Sequence, residues 1–249
     1  MSNDDERNGS VRDPREIYEV DEQAVEAELG TLAHAPDGAV GPVLIHALRG
    51  FVDAGNVGEL VLDHLRSELD STRLVTFDVD ELLDYRSKRS TMTFDVNTWS
   101  DYDEPYLAID HVRDAEGTGF LVLHGFEPDL QWERFVAAVI QIVERFGVSL
   151  SATVHGVPMG VPHTRPLTTT AHATTPSLVG EASAWFGKVK VPSSAAALLE
   201  LRLGQRGHDA LGYAVHVPHY LAQSPFPRPL PWRWRRSSGP PGSTSARRR

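Results

Sequence analysis

The sequence predicts an α/β fold: a layered sandwich built on a largely parallel or mixed sheet. Three observations lead there. Short apolar runs, such as 41–48 and 119–125, alternate with amphipathic stretches of a dozen or more residues, such as 56–69 and 129–147. That alternation is the signature of strand–helix units packed in layers. The runs are apolar at nearly every position, as strands are when helices cover both faces of their sheet. Finally, 249 residues hold no internal repeat and no apolar run of membrane-spanning length. One sizeable core is therefore expected, drawn from Leu44, Ile45, Val75, Phe77, Leu121, Val122, Val136, Val139, Ile140, Val143, Val154, Leu198 and Leu201.

Taken in order, residues 1–14 are polar and acidic and read as a disordered tail. Residues 14–29 have helical periodicity, with Pro14 suited to a first turn. The run "GPVLIHAL" (41–48) reads as a buried strand and "NVGELVLDHLRSEL" (56–69) as a helix with one apolar stripe. "TRLVTFDVD" (72–80) is a second strand, and 85–95 reads as a basic loop. "YLAIDHV" (106–112) and "GFLVLHG" (119–125) read as strands joined at Glu116-Gly117. Helix 129–147 is expected to be capped by Asp129 and ended by Gly147. Strands follow at 148–156 and 168–175, and 182–192 is expected to end in another. A helix at 193–207 is expected to take Ser193 as its cap, and 210–221 runs from a last strand into a helix start. The single domain is thus placed at 15–227. Residues 228–249 carry seven arginines, no acid and no period, and read as a disordered tail. Both a natural basic extension and a reading-frame shift in a GC-rich gene produce such text.

Charge narrows the function classes. Residues 1–227 sum to 17 − 34 = −17, a balance that repels nucleic acid, and no membrane partner is expected. The N-terminus lacks a signal-peptide apolar segment and the chain lacks cysteine, which favours the cytoplasm. Absence of cysteine also excludes thiolate catalysis and cysteine zinc sites.

Ligands of open α/β sheets bind beyond the carboxyl ends of the strands. The residues that follow the predicted strands therefore form the candidate site: Asp53, Gly55, Asn56, Arg86, Arg89, His155, Met159, His163 and Arg165. The backbone amides of Gly55, Asn56 and Val57 open a helix and suit an anion. The plainer reading is a tight turn at Gly50 and Gly55, with Asp53 or Asn56 capping the helix. No Walker phosphate loop, dinucleotide-binding glycine pattern or nucleophile elbow occurs, and no cofactor is expected. His155, His163, His172, His216 and His219 lack metal-binding spacing and read as bridges between loop backbone groups. The basic cluster Arg86, Lys88 and Arg89 suits a phosphate or carboxylate, or pairs with nearby acids on a solvated loop.

As a set, "GFVDAGNVG", "DELLDYRSKRSTMTFD", "GFEPDLQWERF", "GVPMGVPHTRP" and "ELRLGQRGHDALGYAVHVPHYLAQ" resemble the proteasome assembly chaperone 2 family in its bacterial branch, from about residue 41 to Pro227. Phe51-Val52 stands where the family pattern has a Trp-Asn-like pair, and Ser90 where it has proline. The resemblance implies a fold similar to the nucleoside phosphorylase/hydrolase-like sandwich. It also implies a protein-binding or assembly module that forms homo-oligomers, with a protein partner such as proteasome subunits. The alternative is a small-ligand enzyme, with nucleosidase- or phosphorylase-like or ATP-dependent carboxylate–amine ligase chemistry. Three lysines, Lys88, Lys188 and Lys190, are few for the ligase option.

Overall fold

Strand β2 (Val43–Arg49) occupies the middle of an eight-stranded sheet because both of its faces are apolar. The computed structural model describes residues 12–30, 41–180 and 187–225. Its other main-sheet strands are β1 (Tyr18–Val20), β3 (Ser71–Phe77), β6 (Leu107–Arg113), β7 (Gly119–Phe126), β8 (Leu150–Met159), β9 (Thr169–Ala173) and β10 (Ala210–Pro218). The order across the sheet is β1-β3-β6-β7-β2-β8-β10-β9. The four strands β7, β2, β8 and β10 are mutually parallel, and every remaining neighbour pair is antiparallel. The sheet is therefore mixed, with its parallel part at the centre, where helices cover it.

Helices α1 (Glu22–Leu29), α4 (Trp132–Arg145) and α5 (Ala195–Gln205) contribute to one core cluster, with Leu44 and Leu48 of β2 and Leu121 and Leu123 of β7. The alternate residues, Ala47 and Val122, pack with Leu62 of α2 (Val57–Glu68) on the opposite face. The single core expected from the sequence is thus two, divided by the sheet: Ile45 and Val122 belong with α2, not with the large cluster. Leu201 is 55 % exposed, because α5 turns Leu199 and Leu203 inward instead. Helix α4 dominates the larger cluster through Phe135, Val136, Ala138, Val139, Ile140, Ile142 and Val143, all buried.

Several local expectations give way to the structure. Residues 14–29 are not one helix: a 3-10 turn at Pro14–Ile17 and strand β1 precede α1, whose start Asp21 caps through the Ala24 amide. Pairing of Tyr18, Glu19 and Val20 with β3 outweighs local helical periodicity. Asp129 does not cap α4; the residue before that helix is Gln131, with φ 55°. The Asp129 carboxylate instead accepts the Asp84 amide at 3.0 Å and pairs with Lys88 at 3.0 Å. Ser194, rather than Ser193, caps α5, accepting the Ala197 amide. Residues 187–192 form no strand, and 181–186 lie outside the described residues. The short helix α3 (Val79–Leu82), capped by Asp78, follows β3.

The basic loop expected at 85–95 leads into β4 (Met92–Asp95), which pairs with β5 (Thr98–Tyr102) in a separate two-stranded sheet. Every residue of this hairpin is exposed. Asp13 accepts the Arg15 amide at the first turn, so residues 12–14 of the expected tail take part in the fold. The rest of that tail, and the whole of 228–249, lie outside the described residues.

Candidate functional site

Strand β2 feeds the chain toward β3 on one side of the sheet, whereas β8 and β10 extend the other side. Such a switch point opens a crevice beyond the carboxyl ends of the strands. Two carboxylates close it. The turn after β2 reaches α2 through Gly55 (φ 69°) and Asn56 (φ 54°), both left-handed. This folds Asp53 back over the start of α2. Its Oδ1 accepts the Gly58 amide at 3.0 Å and the Gly156 amide of β8 at 2.8 Å; its Oδ2 accepts the Glu59 amide at 3.1 Å. One side chain therefore caps a helix and ties it to a neighbouring strand. Asp53 is the cap; Asn56 makes no capping bond and instead donates from its side-chain amide to Glu59.

Glu127, just past β7, acts similarly on the other side. Its Oε1 accepts the Ala195 amide at the start of α5 at 2.7 Å, and its Oε2 accepts the Phe51 amide at 3.2 Å. A Cβ at Gly50 would lie 1.9 Å from that same oxygen, so the close approach requires glycine. Lys88 donates to the Glu127 carbonyl and so holds the loop before β4 against this junction. Two of the three amides expected to face an anion are engaged within the chain: Gly55 donates to the Ala222 carbonyl and Asn56 to the Asp53 carbonyl. The negative charge at this helix start is the protein's own.

Between these carboxylates lies a cavity of about 50 Å³, lined by Asp53, Glu127, Thr153, His155, His172 and Glu200 among others. It has room for a few waters. Ligand pockets are usually several hundred Å³. His172 pairs with Glu200 at 2.9 Å, and the rings of His155 and His172 are 5.8 Å apart. His46, one strand over, is fully buried, with no partner for Nδ1 among the described residues. Burial pushes its pKa down to about 4, and burial followed by the neighbouring His172 pushes His155 down as well. His46 and His155 are therefore neutral at pH 7. His216 is flanked by the hydroxyls of Thr168 and Thr170, at 2.8 and 2.9 Å from its ring nitrogens. His163, His172 and His216 thus bond to side chains, where the sequence suggested loop backbone groups. Among the described residues no His/Asp/Glu group is arranged to hold a metal ion. A wider, open hollow of about 600 Å³ lies by Arg134, whose guanidinium is already bonded to Asp13, Glu16 and Gln131.

The structure brings Asp53, Gly55, Asn56 and His155 together, and Gly55 links them to the chain just after β10. His163 joins that segment through Tyr220, whose hydroxyl lies 2.7 Å from its Nδ1 and accepts its backbone amide. No hydrogen bond or ion pair ties Arg86, Arg89, Met159 or Arg165 to the cluster among the described residues; the three arginines are exposed. Sequence reading missed Glu127, Glu200 and Tyr220. Glu127 had a usable signal, since it follows an apolar strand directly. Glu200 lies within a helix and gave none.

The family model that describes the PAC2 family matches residues 47–229. The chain belongs to the PAC2 family. Several solved structures are similar to it. A Mycobacterium tuberculosis protein of unknown function, Rv2714, is 44 % identical, with TM-score 0.78 over 85 % of this chain and 71 % of its own. A Corynebacterium glutamicum protein of unknown function is 39 % identical, with TM-score 0.76 over 85 % of this chain and 76 % of its own. The M. tuberculosis proteasome-assembly chaperone homologue Rv2125 shares the fold at 21 % identity, with TM-score 0.68 over 74 % of this chain and 78 % of its own. No curated protein matches the chain. Among the described residues no helix is long and apolar enough to cross a membrane.

Proposed function

We propose that this PAC2 chain is a chaperone-like assembly module that binds protein and forms homo-oligomers. The observation that carries the reading is the contrast at the strand ends. The crevice where an α/β enzyme would hold its substrate is closed by Asp53 and Glu127, whose carboxylates take up the amides of Gly58, Glu59, Gly156, Phe51 and Ala195. Large apolar side chains are meanwhile displayed on the outside, among them Phe51, Phe94, Val96 and Trp99. Shared fold with a proteasome-assembly chaperone homologue supports a proteasome subunit as the partner class. In this reading Asp53, Gly55, Asn56 and His155 shape the junction from within. Arg86, Arg89, His163 and Arg165, with Met159 at the end of β8, form its outer, partner-facing side.

Native mass spectrometry of the purified chain, alone and mixed with separately purified proteasome α and β subunits, tests this. A self-associated species and a mixed complex are expected. A strict monomer that ignores both subunits, yet is stabilised in a thermal-shift series by nucleosides, nucleotides or sugar phosphates, would replace this reading with the enzymatic one.

A further inference from the structure

The hairpin β4–β5 is an unfinished sheet. Its register pairs Met92 with Tyr102 and Phe94 with Trp99, while Thr93 faces Asp101 and Asp95 faces Thr98. The register shifts between Thr93 and Phe94, where Ser100 is skipped, so cross-strand partners rather than strict alternation define the faces: one is apolar and aromatic, and the other carries hydroxyls and two carboxylates. The Phe94 and Trp99 rings are 4.8 Å apart, but Trp99 remains 66 % exposed and Phe94 57 %. Neither strand pairs with the main sheet, so both edges of the hairpin are open. A lone two-stranded hairpin is marginally stable in water, and an open apolar edge invites another strand.

The same chain carries a strand without a sheet. Residues 187–192 read Gly-Lys-Val-Lys-Val-Pro, an apolar/basic alternation rich in β-branched residues. They pair with no strand among the described residues and are all exposed, Val191 at 75 %. Extended, this segment would turn Val189 and Val191 to one side and Lys188 and Lys190 to the other. That pattern complements the hairpin: valines beside Phe94 and Trp99, ammonium groups beside Asp95 and Asp101. Neither lysine and neither aspartate makes an ion pair among the described residues. These are two of only three lysines in a strongly acidic chain, so the one segment able to offset the hairpin's carboxylates by lysine is this one.

We propose that residues 187–192 of a second copy of this chain add as a third strand to the β4–β5 hairpin. The interface is head-to-tail: each copy offers its hairpin to one neighbour and its segment to the other, which builds a ring where the rotation closes and a filament where it does not. It supplies the contact of the proposed homo-oligomer and rests on that reading.

Sedimentation velocity on three samples tests it. Phe94→Ser/Trp99→Ser disables the hairpin, and Val189→Asp/Val191→Asp disables the segment. All four positions are exposed, and circular dichroism melts check that each variant folds. The wild-type chain is expected to sediment as an oligomer and each variant alone as a monomer. An equimolar mixture is expected to give a 1:1 heterodimer, because one sound hairpin and one sound segment remain. A wild-type monomer would overturn the oligomer reading and this contact with it. A wild-type oligomer that survives either pair of substitutions would overturn the contact alone. Variants that are both monomeric but do not recombine would also overturn it, because one sound hairpin and one sound segment would then fail to bind each other. The charge swap Lys188→Glu/Lys190→Glu is expected to weaken association at least tenfold, and Asp95→Lys/Asp101→Lys in the same chain to restore it. Failure of that restoration would overturn the pairing of the lysine side of the segment with the carboxylate side of the hairpin.

Discussion

The junction at the strand ends and the β4–β5 hairpin are opposites in how they treat their polar and apolar groups. At the junction Asp53 and Glu127 bind five backbone amides from separate segments, and the cavity they border is small. On the hairpin, aromatic rings face solvent and two carboxylates lack ion-pair partners among the described residues. Buried polar groups in folded proteins are normally satisfied; Asp53 and Glu127 meet that rule by bonding within the chain and act as a structural clasp, while His46 Nδ1 beside the cavity has no partner among the described residues. Large apolar groups left outside on a projecting element mark a surface meant to be covered. On the proposed function, the difference puts binding away from the crevice where the fold class alone would put it.

The largest effect should come from the body beneath the clasp. Phe135→Ala removes a fully buried ring that packs on Phe77 and should cost about 3–5 kcal/mol, read from urea melts. Its effect on self-association should follow from unfolding alone. Next, Asp53→Ala strands the amides of Gly58, Glu59 and Gly156 and should cost about 2–4 kcal/mol. A near-neutral result there would return the loop to the role of a ligand site awaiting its anion.

Acid should break the body by a different route. The folded pKa of His46, about 4, lies below the ordinary value of 6.5, so between those pH values the unfolded chain binds the extra proton. Its contribution is fully present above pH 6.5 and is lost as pH falls toward 4, a span worth about 3 kcal/mol. Burial lowers His111, His124 and His216 as well, so their effects have the same sign. Asp110 acts lower still. Burial would raise its pKa, but its bonds to His124 and Arg73 outweigh that and hold it at about 2. Its contribution is present above the usual carboxylate value and fades below it. Melts at pH 7.5, 6.0 and 5.0 should show falling stability, and His46→Asn should flatten the slope.

The smallest effect belongs to the hairpin. Trp99→Ser, in dilute protein, should change the stability of the body by no more than about 0.5 kcal/mol, as for other exposed substitutions.

The layered α/β plan was legible in the sequence because β2, β7 and α4 have clean apolar periods. Half of the clasp was legible too, because Asp53 sits between two glycines at a helix start, where a carboxylate is a natural cap. Glu127 escaped notice because its partners, Phe51 and Ala195, are 76 and 68 residues away in sequence. Arg86 and Arg89 read as site residues because they follow a strand. The chain from 79 onward instead makes α3 and then the hairpin, so they lie on the outward side. The hairpin itself is hard to read: its polar face and exposed rings look like a loop until strands β4 and β5 are seen to pair. At its tip Val96, with φ 52°, stands where glycine or asparagine is usual, so that only Asn97 beside it announces the turn.

Amide hydrogen exchange over a dilution series sets the two regions side by side in one experiment. The amides of Gly58, Gly156 and Ala195 are expected to stay protected at every concentration. Those of Met92–Asp95 and Thr98–Tyr102 are expected to gain protection only where the chain self-associates. Hairpin amides protected equally in dilute monomer, or clasp amides that exchange freely, would contradict the division between a closed junction and an open hairpin.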